Sequence, residues 1–132
     1  DIVNKLYKEN KNYAYQRAII LHVDSRTVGK RIDVFYYHYA KSVAGKKLAD
    51  AMQKSLKQKY ATHQPNRGYN GTVTPRDELF MIKKTLPPTV YIELGNIQNT
   101  LDQIRLIKPG NRQAIANWLA EGMIADYKAH YN

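Results

Sequence analysis

The short stretch Ala-Ile-Ile-Leu-His-Val at residues 18–23 constrains the fold of this chain more than any other feature. It is an almost unbroken apolar run, and the polar sequence Asp-Ser-Arg at residues 24–26 ends it abruptly. Such a run is typical of a buried strand in a parallel sheet that helices cover on both faces. A second run, at residues 89–94, has the same character and is followed by Gly95. The two runs predict an α/β fold.

The rest of the chain alternates between strand and helix patterns. The predicted order is strand 18–23, strand 32–39, helix 42–60, loop 61–78, a short apolar element at 79–82, strand 89–94, helix 100–107 and a last helix from 109 to about 127. Apolar stripes at four-residue spacing mark the long helices, namely Leu48, Met52, Leu56 and Tyr60, then Ile115, Leu119, Met123 and Tyr127. We therefore expect one domain over residues 1–132, with an open, twisted, mostly parallel sheet and helices on both faces.

Composition excludes some classes of function and leaves others open. The chain has no cysteine, which excludes disulfides, thiolate zinc sites and cysteine nucleophiles. Its net charge of +10 favours a polyanionic partner such as nucleic acid, an anionic membrane or bacterial cell wall. The basic residues are scattered, however, and an ordinary solvated basic surface explains them equally well. No apolar run reaches the roughly 20 residues that span a bilayer, and no nucleic-acid-binding motif is present.

Two polar residues fall at the ends of predicted buried strands, where open α/β sheets bind their ligands. His22 interrupts the first run, and it is either a buried histidine satisfied by hydrogen bonds or a metal ligand. Glu93 closes the second run, and it is either paired with a lysine or arginine or acts as a general base on a metal-bound water. His38 and His63 lack a supporting ligand spacing.

Several motifs around these residues resemble one known family. Residues 19–25, Ile-Ile-Leu-His-Val-Asp-Ser, resemble the I-H-x-N/D-S/A motif of the zinc-dependent N-acetylmuramoyl-L-alanine amidases. Residues 90–99, Val-Tyr-Ile-Glu-Leu-Gly-Asn-Ile-Gln-Asn, resemble that family's V-E-x-G-F-I-S-N motif. Further positions resemble its middle and closing helices: Ser42, Gly45, Leu48, Ala49, Leu106, Pro109, Arg112, Ile115 and Ala116. The resemblance extends from residue 18 to residue 127.

The resemblance implies a twisted α/β sheet and one Zn²⁺ held by two histidines and a glutamate. It implies hydrolysis of the amide bond between the lactyl group of N-acetylmuramic acid and the L-alanine of the stem peptide. His22 matches the second histidine ligand, and Glu93 matches the catalytic glutamate that works on the zinc-bound water. The substrate would be peptidoglycan, which places the protein in the periplasm or outside a bacterial cell. We expect a monomer that binds no nucleic acid.

The chain departs from the family pattern upstream of His22. The family's other two zinc ligands precede this position, but the 21 residues before His22 contain no histidine and only one glutamate, Glu9, in surroundings that do not match. We therefore expect the N-terminal part of the family fold to be missing from these residues. Asn96 and Gln98 replace an aromatic and a small residue of the family motif, which concerns loop packing beside the site.

The remaining expectations concern the substrate and the rival functions. Arg67 and Arg76 in the long loop, together with Asn99, are candidates for binding glycan or peptide carboxylates, although a plain surface loop is the alternative. The incomplete ligand set favours, as a second function, a catalytically degenerate domain that binds cell wall or regulates another enzyme. The high positive charge leaves a nucleic-acid-binding domain as a third.

Overall fold

The computed structural model describes all 132 residues and contains four strands and five helices. In chain order they are α1 (Ile2–Glu9), β1 (Ala18–Asp24), β2 (Phe35–His38), α2 (Val43–His63), β3 (Val73–Pro75), α3 (Phe80–Lys84), β4 (Thr89–Asn96), α4 (Thr100–Ile107) and α5 (Pro109–His130). None of the helices is both long and apolar enough to cross a membrane.

The strands form one open sheet in the order β1-β4-β2-β3. β1 pairs with β4 and β2 pairs with β3 in parallel, whereas β2 and β4 are antiparallel. Two of the three pairings are thus parallel, which confirms the α/β class and the open, mostly parallel sheet. The expectation of a buried strand for the first apolar run is wrong, because β1 lies at the edge of the sheet, none of its residues is buried and Leu21 is 61% exposed.

Two further elements differ from the sequence-based prediction. The loop expected at 61–78 contains the three-residue strand β3, which ends in Pro75 at the outer edge of the sheet, where proline is tolerated. The second strand begins at Phe35 and not at residue 32. Asp33 adopts a positive φ of 55°, and the backbone N–H groups of Ile32 and Asp33 donate to the Asp102 carboxylate instead of a neighbouring strand.

The main core lies between one face of the sheet and the pair of long helices. The expected stripe on α2 is buried throughout: Leu48, Met52, Leu56 and Tyr60. On α5 the first half of the expected stripe is buried, but Met123 and Tyr127 are 38% and 50% exposed. Gly122 and Asp126 are buried in their place. The same spacing stays buried along α2, so the difference on α5 reflects the surface that this helix packs against, where Gly122 and not Met123 meets α2.

α5 crosses α2 at Gly122, where the two backbones come very close. A Cβ atom at this position would lie 2.5 Å from the Met52 Cα and 3.0 Å from the Ala51 carbonyl oxygen. We expect Gly122→Ala to lower the free energy of unfolding by about 2 kcal/mol, because the overpacking outweighs the better helix propensity of alanine. Gly110→Ala is the matched control, since a Cβ there meets no atom within 4 Å. Urea denaturation of both variants measures the difference, and equal midpoints would contradict the close helix contact.

The side chains of β4 alternate between the two faces of the sheet. Val90 and Ile92 of β4 join the core cluster with α2 and α5 residues. Because side chains alternate along a strand, Tyr91 and Glu93 point to the opposite face. His22 is the β1 partner of Glu93, and it belongs to that same face.

Candidate active site

β1 and β4 bring the two predicted residues together. His22 and Glu93 are direct register partners near the carboxyl ends of these parallel strands. The Nδ1 atom of His22 lies 3.2 Å from Oε1 and 3.1 Å from Oε2 of Glu93, although 71 residues separate the two in sequence. The partner of Glu93 is therefore an imidazole and not the lysine or arginine of the simplest structural alternative.

The two side chains differ in exposure. The His22 side chain is 55% exposed, whereas that of Glu93 is only 10% exposed. When Nδ1–H donates to the carboxylate, the neutral ring keeps its lone pair on Nε2, which makes no hydrogen bond within the chain.

Burial raises the pKa of Glu93 above its ordinary value, and the hydrogen bond from His22 opposes this shift. Among the charged neighbours, Asp24 raises the pKa and Arg26 lowers it. Proton transfer is most efficient when the pKa of the transferring group approaches the working pH. The environment of Glu93 therefore favours an acid–base role.

Aromatic side chains extend from the pair across the open face. The Tyr91 ring lies 5.5 Å from the His22 ring, and the Tyr37 ring lies 6.4 Å from Tyr91. Phe35 is the β2 partner of Glu93. The His22 side chain is 55% exposed, so the pair opens onto solvent at the surface of the sheet.

The loop after β1 is held to the loop after β4 by Asn96, which is fully buried. Its Oδ1 accepts hydrogen bonds from the backbone N–H groups of Arg26 and Gln98, and its Nδ2 donates to the carbonyl oxygens of Thr27 and Lys30. An aromatic side chain has no groups to replace these bonds. Asparagine, which replaces the aromatic residue of the family motif at this position, thus joins the two loops beside the site by hydrogen bonds.

The predicted substrate-binding residues lie in three different surroundings. Arg76 lies over the Tyr37 ring, with its Cζ atom 4.9 Å from the ring centroid. Arg67 is instead 3.6 Å from the buried carboxylate of Asp33. Asn99 caps α4 and donates to the carbonyl oxygen of Gly29 at 2.8 Å. Only Arg76 belongs to the aromatic surface beside the His22–Glu93 pair.

A metal ion needs more ligands than these residues bring together. No three histidine, aspartate, glutamate or cysteine side chains of the chain are grouped so that they could hold a metal. A catalytic zinc takes three protein ligands and keeps one position open. His38 bonds to the Tyr39 carbonyl oxygen and His63 stacks on Trp118, so neither completes a site with His22. The described residues therefore do not fit a zinc ion by themselves.

The fold and the pair define an α/β protein with an imidazole–carboxylate site at the carboxyl edge of its sheet. The sequence profile of the N-acetylmuramoyl-L-alanine amidase family matches residues 4–125. The chain belongs to this family, and the resemblance found in its motifs is confirmed. No curated protein matches the chain.

Solved structures of several amidases share the fold. CwlD from Clostridioides difficile, in complex with the GerS lipoprotein, has a TM-score of 0.74 at 20% identity and covers 96% of this chain. AmiC2 of Nostoc punctiforme has a TM-score of 0.72 at 14% identity and covers 95%. The apo form of Ami1 from Mycobacterium abscessus has a TM-score of 0.71 at 22% identity and covers 95%.

The chain spans only part of each of these proteins, namely 60% of CwlD, 63% of AmiC2 and 61% of Ami1. This share agrees with the expectation that part of the family fold is missing from these residues.

Proposed function

We propose that this chain is part of a peptidoglycan amidase that hydrolyses the bond between the lactyl group of N-acetylmuramic acid and the L-alanine of the stem peptide. The observation that supports this most directly is the pairing of His22 with Glu93 at 3.1 Å on the open face of an amidase fold. Because peptidoglycan lies in the periplasm or outside the cell, we infer that the protein works there.

Glu93 is the proton-transferring group in this proposal. Its carboxylate takes a proton from the attacking water and returns it to the nitrogen of the leaving L-alanine. Burial raises its pKa, which makes the carboxylate a stronger base towards the attacking water than an ordinary glutamate. The contact with His22 Nδ1 keeps both side chains on the face where the substrate amide would lie.

We propose His22 as one ligand of a Zn²⁺ ion whose other ligands come from residues outside this chain. Zinc supplies Lewis-acid polarisation of a carbonyl and of water when it is bound at such a site. The exposed His22 imidazole beside the Glu93 carboxylate supports this ligand role, and the absence of a three-residue cluster within the chain is why further ligands are needed.

The test is product analysis with purified peptidoglycan and the complete gene product that contains this chain. We expect soluble stem peptides with new N-terminal L-alanine and no new reducing sugar ends. We also expect one equivalent of zinc in the purified protein by elemental analysis. Release of reducing ends, or cleavage within the stem peptide, would rule out this bond specificity.

One observation favours a second candidate, a degenerate amidase-like domain that binds cell wall. The chain brings only His22 and Glu93 together, which is too few for a zinc site. This candidate predicts that the complete protein sediments with peptidoglycan, contains no stoichiometric zinc and releases no peptide.

A further inference from the structure

Two arginines converge on one tyrosine beside the candidate site. The Nη2 atom of Arg26 donates a hydrogen bond to the Tyr37 hydroxyl at 2.7 Å. The guanidinium of Arg76 lies over the ring of the same residue, with its Cζ atom 4.9 Å from the centroid. Arg26, Tyr37 and Arg76 form what we call the arginine wall.

The sheet itself places the wall on the same face as Glu93. Tyr37 pairs with Tyr91 of β4 on one side and with Thr74 of β3 on the other. Arg76 follows Thr74 by two residues, and its backbone N–H still bonds to the His38 carbonyl oxygen at 3.0 Å. Because alternate residues of a strand share a face, the side chain of Arg76 projects on the side of Tyr37.

The wall begins one strand away from the catalytic candidate. Phe35 is the direct β2 partner of Glu93, and the guanidinium of Arg26 lies 4.9 Å from the Phe35 ring centroid. Adjacent strands are about 4.8 Å apart. A substrate bond placed at Glu93 therefore has the arginine wall within one or two strand spacings.

Both guanidinium groups keep N–H donors that can bind a further group. Asp24 contacts Nε of Arg26 and Glu78 contacts Nε of Arg76. Each carboxylate therefore fixes the position of its arginine through the Nε atom. Nη1 of Arg26 makes no hydrogen bond within the chain, and the terminal nitrogens of Arg76 have no partner other than the neighbouring Tyr37. The side chains of Arg26 and Arg76 are 29% and 35% exposed. Fixed, partly exposed guanidinium groups of this kind suit a planar carboxylate.

We propose that the arginine wall binds a free carboxylate of the stem peptide and so selects substrates in which that group is not amidated. The inference rests on the proposed function, because it takes the scissile bond to lie at Glu93. An extended peptide advances about 3.5 Å per residue. The carboxylate of the residue that follows L-alanine thus reaches about 7 Å from the scissile bond, which is comparable to the one or two strand spacings of about 4.8 Å between β4 and the strands that carry Tyr37 and precede Arg76.

Binding to the complete protein that contains this chain, with a metal chelator present so that the probes are not hydrolysed, tests the inference. The probes are N-acetylmuramoyl-L-alanyl-D-glutamate with its γ-carboxylate capped as the methylamide and its α-carboxylate free, and the same compound with the α-carboxylate converted to the amide. Titration calorimetry gives the dissociation constants of both probes for the wild type, Arg76→Gln and Lys57→Gln. Lys57→Gln is the matched control, since it removes the same unit of charge from an exposed position on α2.

We expect the wild type and Lys57→Gln to prefer the acid over the amide by about tenfold, as for one hydrogen-bonded charged group. Arg76→Gln should bind both probes equally. Equal affinities of the wild type for acid and amide, an unchanged preference in Arg76→Gln, or no binding of the acid would each overturn the inference. Glu93→Gln should keep the preference while losing hydrolysis, so failure of the proposed function is distinguishable from failure of the arginine wall.

Discussion

Replacing Glu93 by glutamine is expected to lower the rate of peptide release from peptidoglycan by about 100- to 10,000-fold, the usual contribution of a general acid–base group. Glutamine keeps the size of the side chain and can still hydrogen-bond to His22, but it cannot accept a proton from water. The measurement is the initial rate of release of peptides with N-terminal L-alanine by the complete protein. Glu121→Gln on the exposed side of α5 is the matched control, and it should retain the wild-type rate.

The loss should not come from unfolding. A carboxylate whose pKa is raised by burial binds its proton more tightly in the folded state, so its contribution to stability is greatest below the ordinary pKa of 4.5 and is lost as the pH rises through the raised value. At neutral pH the ionised Glu93 therefore opposes folding slightly, and Glu93→Gln should be at least as stable as the wild type. Full hydrolytic activity in this variant would show that Glu93 is not the proton-transferring group.

Replacing Asp102 by alanine is expected to lower the free energy of unfolding by about 3–5 kcal/mol, as for removal of one partner of a buried ion pair. The Asp102 side chain is fully buried, and its carboxylate accepts from the backbone N–H groups of Ile32, Asp33 and Asn96 at 2.9, 3.3 and 3.0 Å. It also accepts from Nη2 of Arg105 at 2.8 Å. Alanine would leave three buried donors and one buried cation without this acceptor.

Asp50→Ala provides the comparison for this stability effect. Asp50 also pairs with a basic residue on its own helix, Lys46, at 2.7 Å, but its side chain is 47% exposed. Exposed pairs contribute about 0–1 kcal/mol, so this variant should unfold almost as the wild type does. Thermal and urea unfolding of the two variants give the contrast. A difference below about 1 kcal/mol between them would mean that Asp102 does not connect α4 to the strands.

The sequence-based prediction of the secondary structure succeeded where the pattern was local and periodic. Helix α4 and the start of α5 at Pro109 are where the pattern predicts them, and α2 begins at Val43, one residue after its predicted start. Strand β3 was not predicted, because a three-residue strand among glycine and proline residues carries no periodic pattern. The prediction that the apolar stripe of α5 stays buried beyond Leu119 was wrong for a related reason. Which face of a helix is buried depends on the surface that it packs against.

The candidate site shows the same division between local and long-range information. The sequence determined that His22 and Glu93 stand near the ends of two apolar strands and that the surrounding motifs belong to an amidase family. Only the tertiary structure decided that the two residues face each other, because strand register depends on pairing between segments 71 residues apart.

The roles of the charged residues were likewise decided by tertiary structure. In sequence, Asp102 and Arg105 form an ordinary pair three residues apart on a helix, and Arg67 and Arg76 belong to the same polar loop. Folding buries the first pair beneath the strands, directs Arg67 to Asp33 and places Arg76 on the open face. Charge and spacing are local properties of a sequence, whereas burial and the choice of partner depend on segments that meet only when the chain folds.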